Sequence, residues 1–372
     1  MSNSYIPTNV KIGLFTAAGC RCELAGCNKR LDIHMLTKKR CNIANIAHIV
    51  ADKPDGPRGD KDKSPILAKD LSNLMLLCPE CHIIIDKDVE KYTVDVLMGM
   101  KKEHEDRIER VTGIQPSKES LVVVFGSKIG RSVSAFHKDV LFNTLFPDCY
   151  PLNDRPIEIL TNSVLKDGEE DFWKNESRQI EEVCRDKILE PLNRGEIPHI
   201  SLFALAPQPL LVKLGTVLND KYKVMVYQKH RIPDTWRWLE EDLNNDIRLI
   251  EPNSKDYEPI LVIALSSETI INRINERFGG KASIWTISCD NPNNDMLRSY
   301  SQLVQFNRVA RRAIEEINSY HRGASNVKIF MAAPNACAVE LGRVRMEKAD
   351  LPWVLYDYRN EINEDIETIT IN

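Results

Sequence analysis

Beyond residue 120 the apolar positions come in short, dense runs. They fall at 121–125, 157–160, 200–205, 224–227, 260–265, 284–287, 327–331 and 353–356, with helical segments between several of them. Runs this short, rich in Val, Ile and Leu and apolar at nearly every position, are the pattern of strands buried on both faces. Strands alternating with helices predict a largely parallel sheet covered on both sides. Before residue 115 the pattern differs. Short strands and charged loops lead to one helix rich in Lys and Glu, over about 93–110, which ends near Gly113 with Pro116 beyond it. The stretch 112–120 is small, polar and interrupted by proline, and reads as a linker. The pattern predicts two domains, 1–115 and 116–372, and 372 residues accommodate two comfortably.

The second region repeats itself. ISLFALAPQPLLVKLGTVL leads into VMVYQ, and VKIFMAAPNACAVELGRVR leads into WVLYDY. In each copy a strand ends in Ala-Pro and a Leu-Gly follows within the next helix, so Pro207 to Gly215 and Pro334 to Gly342 have the same spacing. Each copy is preceded by a strand ending in a small hydroxyl residue, VVVFGS and LVIALSS. The expectation is two Rossmann-like halves fused in one domain. The plainer alternative, that any two strand–helix units look alike, is weakened by the matched spacing.

Composition narrows the class. Some 42% of residues are hydrophobic, enough for a core in both domains, and the net charge is −4, which excludes a protein that coats DNA by bulk basicity. Residues 1–9 are polar and no apolar run is long enough to span a bilayer, so the sequence predicts a soluble, cytoplasmic chain with no membrane partner. Six of ten cysteines crowd the first domain. Clustered pairs in such a chain suggest a metal rather than disulfides. Cys22-x4-Cys27 with Cys78-x2-Cys81 supplies the four-sulfur shell of a structural Zn2+. Ordinary buried cysteines are the alternative. Cys20 and Cys41 are left over, with packing as their expected role, and Cys20 is a possible substitute for Cys22.

Around the second pair run NIAHIVA, GPRGD and LSNLMLLCPECHIIID. A histidine ending one strand, an asparagine opening another and a histidine just after a Cys-x2-Cys turn resemble the HNH, or ββα-metal, nuclease motif. The residues are His48, Asn73 and His82. The resemblance implies that His48 is the general base, that Asn73 positions the base-bearing loop or the metal, and that His82 binds a catalytic divalent ion, magnesium being expected. Phosphodiester hydrolysis suits such a set, since a neutral imidazole deprotonates water near pH 7 and a divalent ion stabilises phosphate charge. Asp86, four residues after His82, shares its face if a helix has begun and is a second expected ligand. The sequence departs from the motif at Ala47, where many HNH sites carry an acidic ligand. His34 and His104 are expected at the surface. The loop bearing Lys53, Arg58, Lys61 and Lys63 is a candidate for phosphate contact, although its four aspartates make a merely solvated loop an equal reading. For the whole module, a zinc finger that binds DNA without cutting is the alternative.

For the second domain, physics places ligands beyond the carboxyl ends of parallel strands, where the Ala-Pro corners lie. Proline at a helix start is also routine. HISLFALAPQPLLVKLG, with a second Ala-Pro half downstream, resembles the SAVED domain of bacterial CBASS antiphage systems, and an HNH module ahead of it is similar to the HNH–SAVED effector nucleases. That implies two fused CARF-like halves that bind a cyclic dinucleotide, assemble into a homo-oligomer, and switch on an endonuclease that degrades double-stranded DNA with little sequence preference. The fold expected is thus an α+β HNH module with structural zinc, followed by an α/β SAVED domain of two Rossmann-like halves. Candidate ligand residues are Lys128 after the first strand, Pro207 and Gln208 at one corner, Pro334 and Asn335 at the other, Ser266 at a strand end, and Tyr227, Tyr356 and Trp236 for stacking. Core packing is an equal reading for each aromatic. The acidic tail 361–367 reads as a solvated terminus. A restriction-type HNH enzyme that recognises modified DNA is the remaining alternative.

Overall fold

The computed structural model describes residues 5–34, 36–126, 136–160, 171–239, 245–359 and 361–372. The chain divides into two compact units, Met1–Gln115 and Pro116–Asn372.

The first unit is built from α1 (Thr8–Ala17), β1 (Asn45–His48), α2 (Lys63–Leu67), β2 (Leu74–Leu77), α3 (Pro79–Lys87) and α4 (Val94–Thr112). β1 and β2 pair antiparallel, from Asn45 opposite Leu77 to His48 opposite Leu74. β2 is buried along its whole length, and α3 follows it at once. The small core joins Leu14, Leu31, Ile49, Leu76, Ile85 and Leu97 to the cysteine cluster. α4 carries His104, which the sequence placed at the surface. It is buried, with Nε2 3.0 Å from the carbonyl of Ala18. The imidazole donates to that carbonyl beside the Arg21 amide, tying α4 to the end of α1.

The second unit runs β3 (Glu119–Gly126), α5 (Lys138–Leu145), β4 (Tyr150–Pro151), β5 (Ile157–Leu160), α6 (Phe172–Cys184), α7 (Glu190–Asn193), β6 (Ile200–Leu205), α8 (Gln208–Val217), β7 (Val224–Tyr227), β8 (Arg248–Ile250), β9 (Glu258–Ala264), α9 (Thr269–Phe278), β10 (Ala282–Ser288), α10 (Tyr300–Tyr320), β11 (Val327–Ala332), α11 (Asn335–Arg343), β12 (Trp353–Arg359) and β13 (Glu364–Ile371). In one sheet β3 lies between β5 and β6, with β7 outside β6, all parallel. In the other, β9 lies between β10 and β11, with β12 outside β11, again all parallel. The order is the same in both, so the repeat seen in sequence is a repeat of fold. Antiparallel edge strands β8 and β13 close the second sheet.

The strands sort their side chains by alternation. Leu121, Val123 and Phe125 of β3 enter the core shared with α6, α8, α10 and α11, while Val122 and Val124 face the layer under α5. Leu261 and Ile263 of β9 enter the shared core, while Ile260 and Val262 face α9. The inner helices thus lie between two sheets. α8 and α11 meet at Gly215 and Gly342. A Cβ on Gly215 would strike the Val339 carbonyl and lie 2.9 Å from the Cα of Gly342, and a Cβ on Gly342 would strike the Val212 carbonyl. The repeated Leu-Gly is therefore the point where two helix backbones touch, and only glycine fits there.

The tail is a correction. Residues 364–371 form β13 on the edge of the second sheet, with Asp365 buried in a two-point pair with Arg273 at 2.9 Å. Its acidic residues share the strand with Ile366, Ile369 and Ile371, of which the latter two join the core.

Candidate functional site

In the first unit the sulfurs of Cys22, Cys27, Cys78 and Cys81 all lie within 4.8 Å of one another. That is close to the roughly 3.8 Å separation implied by tetrahedral Zn–S bonds of about 2.3 Å. Cys22 and Cys27 sit on a turn in which Gly26 adopts φ +82°, and the Cys78 amide donates to Cys22 Sγ at 3.4 Å. Cys78 caps α3, with Pro79 in its first turn, and the Cys81 amide donates back to Cys78 Sγ at 3.5 Å. Burial pushes the Cys22 thiol up to about 12 and pushes Cys81 up too, with the neighbouring sulfurs adding to it. Burial acts likewise on Cys27, but the Lys29 amide and the adjoining thiols hold it below the ordinary thiol value. Four such sulfurs ionise together only around a cation, so the set fits zinc. Cys20 is half-buried and Cys41 is exposed, and neither joins the quartet. Packing, the role expected of Cys41, is therefore not what that side chain does.

α3 carries the next feature directly from the cysteine turn. The His82 amide donates to the Cys78 carbonyl at 3.0 Å, so His82 stands one turn past the sulfur site. Its Nε2 is 3.4 Å from Asp86 Oδ2, as the four-residue spacing on a helix requires. Its Nδ1 is 3.2 Å from the side-chain amide of Asn45 on β1. Burial holds the His82 imidazole below its ordinary value while Asp86 pulls the other way, which leaves a neutral ring fit to ligate a metal. Asn45 fixes that ring, a role the sequence did not single out. An i,i+4 periodicity gives Asp86, but nothing in a sequence pairs β1 with α3.

His48 ends β1 and is buried, with Nε2 2.9 Å from the Ala68 carbonyl. A carbonyl only accepts, so Nε2 carries the hydrogen and Nδ1 is the nitrogen able to take a proton. Asn73 is fully buried. Its carbonyl accepts from the Ile49 amide at 2.9 Å and its Oδ1 from the Val50 amide at 2.8 Å, while Nδ2 donates to the carbonyls of Val50 and Leu67 at 2.9 and 3.2 Å. It locks the chain just beyond His48. His48, His82, Asp86, Asn45 and Asp52 line one cleft. Ala47 is buried in the core and offers no ligand. Among the described residues the cysteine quartet is the one group of three or more His, Cys, Asp or Glu gathered as for an ion. His82 and Asp86, one turn apart on α3, could together hold a divalent ion.

In the second unit the corners face each other. Gln208 Nε2 donates to the Ala333 carbonyl at 2.9 Å, and Asn335 Nδ2 donates to the Ala204 carbonyl at 3.4 Å. Each corner's amide is thus engaged by the other half. Buried Gln228 adds a third tie, accepting from the Ala336 amide at 3.1 Å. Pro207 and Pro334 are the N-caps of α8 and α11, and the Ser266 amide donates to the Ala332 carbonyl at 2.7 Å. Lys128 and the neighbouring Ser127 lie outside the described residues.

The aromatic candidates pack against other rings of the fold. Tyr227 is buried and stacks on Phe203 with centroids 4.5 Å apart, and Trp236 meets Phe203 edge-on at 5.2 Å. Tyr356 stacks on Phe330, also at 4.5 Å, and its hydroxyl donates to Glu367 at 3.3 Å. Strand alternation turns Tyr227 and Tyr356 to the outer faces of their sheets, away from the α8–α11 junction.

Two sheets of the same strand order, joined through inner helices and carrying matched corners, define a pseudo-symmetric α/β domain of two Rossmann-like halves. The model of the SAVED family, described as the SMODS-associated and fused to various effectors sensor domain, matches residues 180–371, and this chain belongs to that family. No curated protein sequence matches the chain. Among solved structures it is similar to the Acinetobacter baumannii Cap4 SAVED/CARF-domain receptor with the cyclic trinucleotide 2'3'3'-cAAA, at 12% identity, TM-score 0.41, 79% of this chain and 61% of that one. The same receptor with 3'3'3'-cAAA gives 14%, 0.42, 83% and 59%. The Moraxella osloensis Cap4 receptor gives 12%, 0.37, 79% and 59%. The chain spans about three-fifths of the length of these receptors, and likeness at this level carries no functional argument. Among the described residues no helix is long and apolar enough to cross a membrane.

Proposed function

We propose that this protein is a metal-dependent DNA endonuclease of HNH type whose SAVED domain senses a cyclic dinucleotide and controls it, as an antiphage effector. The observation that carries the nuclease reading is the cleft in which His48, ending β1, faces His82 and Asp86 on α3, with Asn73 locking the loop between. A divalent ion held by His82 and Asp86, magnesium in this reading, would stabilise charge on the scissile phosphate. His48 takes a proton from the attacking water at Nδ1, since Ala68 holds Nε2. Asn73 keeps His48 from swinging by binding both polar groups of Val50. The zinc cluster fixes the start of α3, and so His82. The exposed Lys53, Lys61 and Lys63 suit the phosphate backbone and read no base, which fits cleavage of double-stranded DNA with little sequence preference.

The sensor half of the reading rests on family membership and on the corner geometry at the carboxyl ends of the strands. The test is incubation of the purified chain with plasmid DNA and magnesium, with and without a panel of cyclic dinucleotides. Cutting only with a cyclic dinucleotide supports the reading. Cutting that tracks DNA modification points instead to a restriction-type enzyme, and no cutting with any divalent metal points to a DNA-binding regulator.

A further inference from the structure

The loop between β1 and α2 holds a basic residue in an unexpected place. Lys53, Lys61 and Lys63 are exposed, but the side chain of Arg58 is only 4% exposed. Its Nε donates to the Ile49 carbonyl at 2.8 Å, its Nη1 to the Ile85 carbonyl at 2.6 Å, and its Nη2 to Asp86 Oδ1 at 3.0 Å. Ile49 is the residue after His48. Ile85 and Asp86 belong to the last turn of α3, whose carbonyls have no partner within the helix. One guanidinium therefore spans the end of the strand that presents His48 and the end of the helix that presents His82.

The loop is shaped to deliver it. Arg58 sits at φ +58°, a left-handed conformation that residues other than glycine rarely adopt. Gly56 donates to the Lys53 carbonyl at 3.0 Å and Gly59 to the Gly56 carbonyl at 2.9 Å. A Cβ on Gly59 would lie 2.6 Å from the Lys53 carbonyl oxygen, so the curl closes only around glycine. A strained residue in a tight loop, its side chain fully engaged beside the cleft, suggests that the strain serves the site.

We propose that Arg58 is a positioning residue of the nuclease site: it sets the spacing of His48 against His82 and Asp86 and touches no substrate. The proposal rests on the nuclease reading above for its effect on rate, but the clamp itself does not. It also assigns the two oxygens of Asp86. Oδ1 belongs to Arg58, and Oδ2, 3.4 Å from His82 Nε2, is the one left for a cation. Lysine would keep the charge beside Asp86, yet it cannot serve two carbonyls and a carboxylate as a planar fork does.

The experiment uses the full, zinc-loaded chain as wild type, Arg58→Ala and Arg58→Lys. Hydrogen exchange read by mass spectrometry should rise about 10-fold or more in peptides covering 46–52 and 82–88 of Arg58→Ala, with α4 and the second unit unchanged. On plasmid DNA with magnesium and an activating cyclic dinucleotide, kcat should fall about 100-fold in Arg58→Ala with KM for DNA unchanged, and Arg58→Lys should recover only a small part. A rise in KM at unchanged kcat would show a phosphate contact and overturn the proposal. So would unchanged exchange in both peptides, or protection lost throughout the first unit. If wild type cuts under no condition, the nuclease reading fails, and the exchange pattern alone still decides whether Arg58 is the clamp.

Discussion

Gly342→Ala is the sharpest test of the pseudo-symmetric core. The added methyl would strike the Val212 carbonyl and lie 2.8 Å from the Thr216 amide nitrogen and 2.9 Å from the Gly215 Cα. All three are backbone atoms of α8, so no side chain can turn aside, and the helices must separate. Overpacking of this kind costs about 1–3 kcal/mol, and rigid neighbours put it near the upper end. Alanine recovers about 1 kcal/mol of helix propensity over glycine. The net loss is about 2 kcal/mol, or roughly 30-fold in the folding equilibrium. For a unit of this size that is a fall in Tm of about 4–8 °C. The assay is tryptophan fluorescence during thermal and urea unfolding. All five tryptophans, Trp173, Trp236, Trp238, Trp285 and Trp353, lie in the second unit, so the signal follows that unit alone. Gly215→Ala should behave alike, and the double variant should lose much less than the sum, because one separation relieves both clashes. Wild-type stability in Gly342→Ala would refute the close crossing.

Elemental analysis should find one zinc per chain, and Cys78→Ser should lose it and unfold the first unit by hydrogen exchange while leaving the tryptophan transition in place; a zinc-free, folded wild type would contradict this. His48→Ala should lower DNA cleavage by about 100- to 10,000-fold with zinc content and fold intact, whereas His82→Ala should lose cleavage together with Mn2+ binding measured by electron paramagnetic resonance. Tyr227→Ala should lower the stability of the second unit by about 3 kcal/mol or more, because the ring is buried against Phe203. Weakened ligand binding with unchanged stability would restore Tyr227 as a stacking residue.

The strands and their repeat were legible because buried parallel strands leave dense apolar runs, and all eight runs coincide with strands of the second unit. The Leu-Gly spacing was visible too, though not its cause, since the contact joins residues far apart in the chain. β13 was hidden by its own acids. Glu364, Asp365 and Glu367 look solvated, yet Arg273 neutralises Asp365 from α9, and Ile369 and Ile371 enter the core. The cysteine quartet was legible as paired spacing. The supports of the cleft around His48 and His82 were not: Asn45 and Arg58 act through α3, and nothing local in NIAH or GPRGD reveals that. Tyr227 and Tyr356 lie at strand ends near the ligand edge, but the face each ring occupies depends on register, which the residue pattern alone does not show.

The proposed control of a nuclease by a small cyclic nucleotide needs a domain with two states. A ligand shifts an equilibrium only through unequal affinity for two states. The Ala-Pro corners, tied across the two halves by Gln208 and Asn335, give such a difference if ligand trades places with those ties. The direct measurement is one titration of the wild-type chain with a cyclic dinucleotide, read in parallel by light-scattering mass and by cleavage of plasmid DNA. Under the proposed function, mass and cleavage rise together over the same ligand range, and His48→Ala follows the mass curve without cutting. A ligand-free monomer that cleaves at full rate, or cleavage that rises with no change in mass, would contradict it.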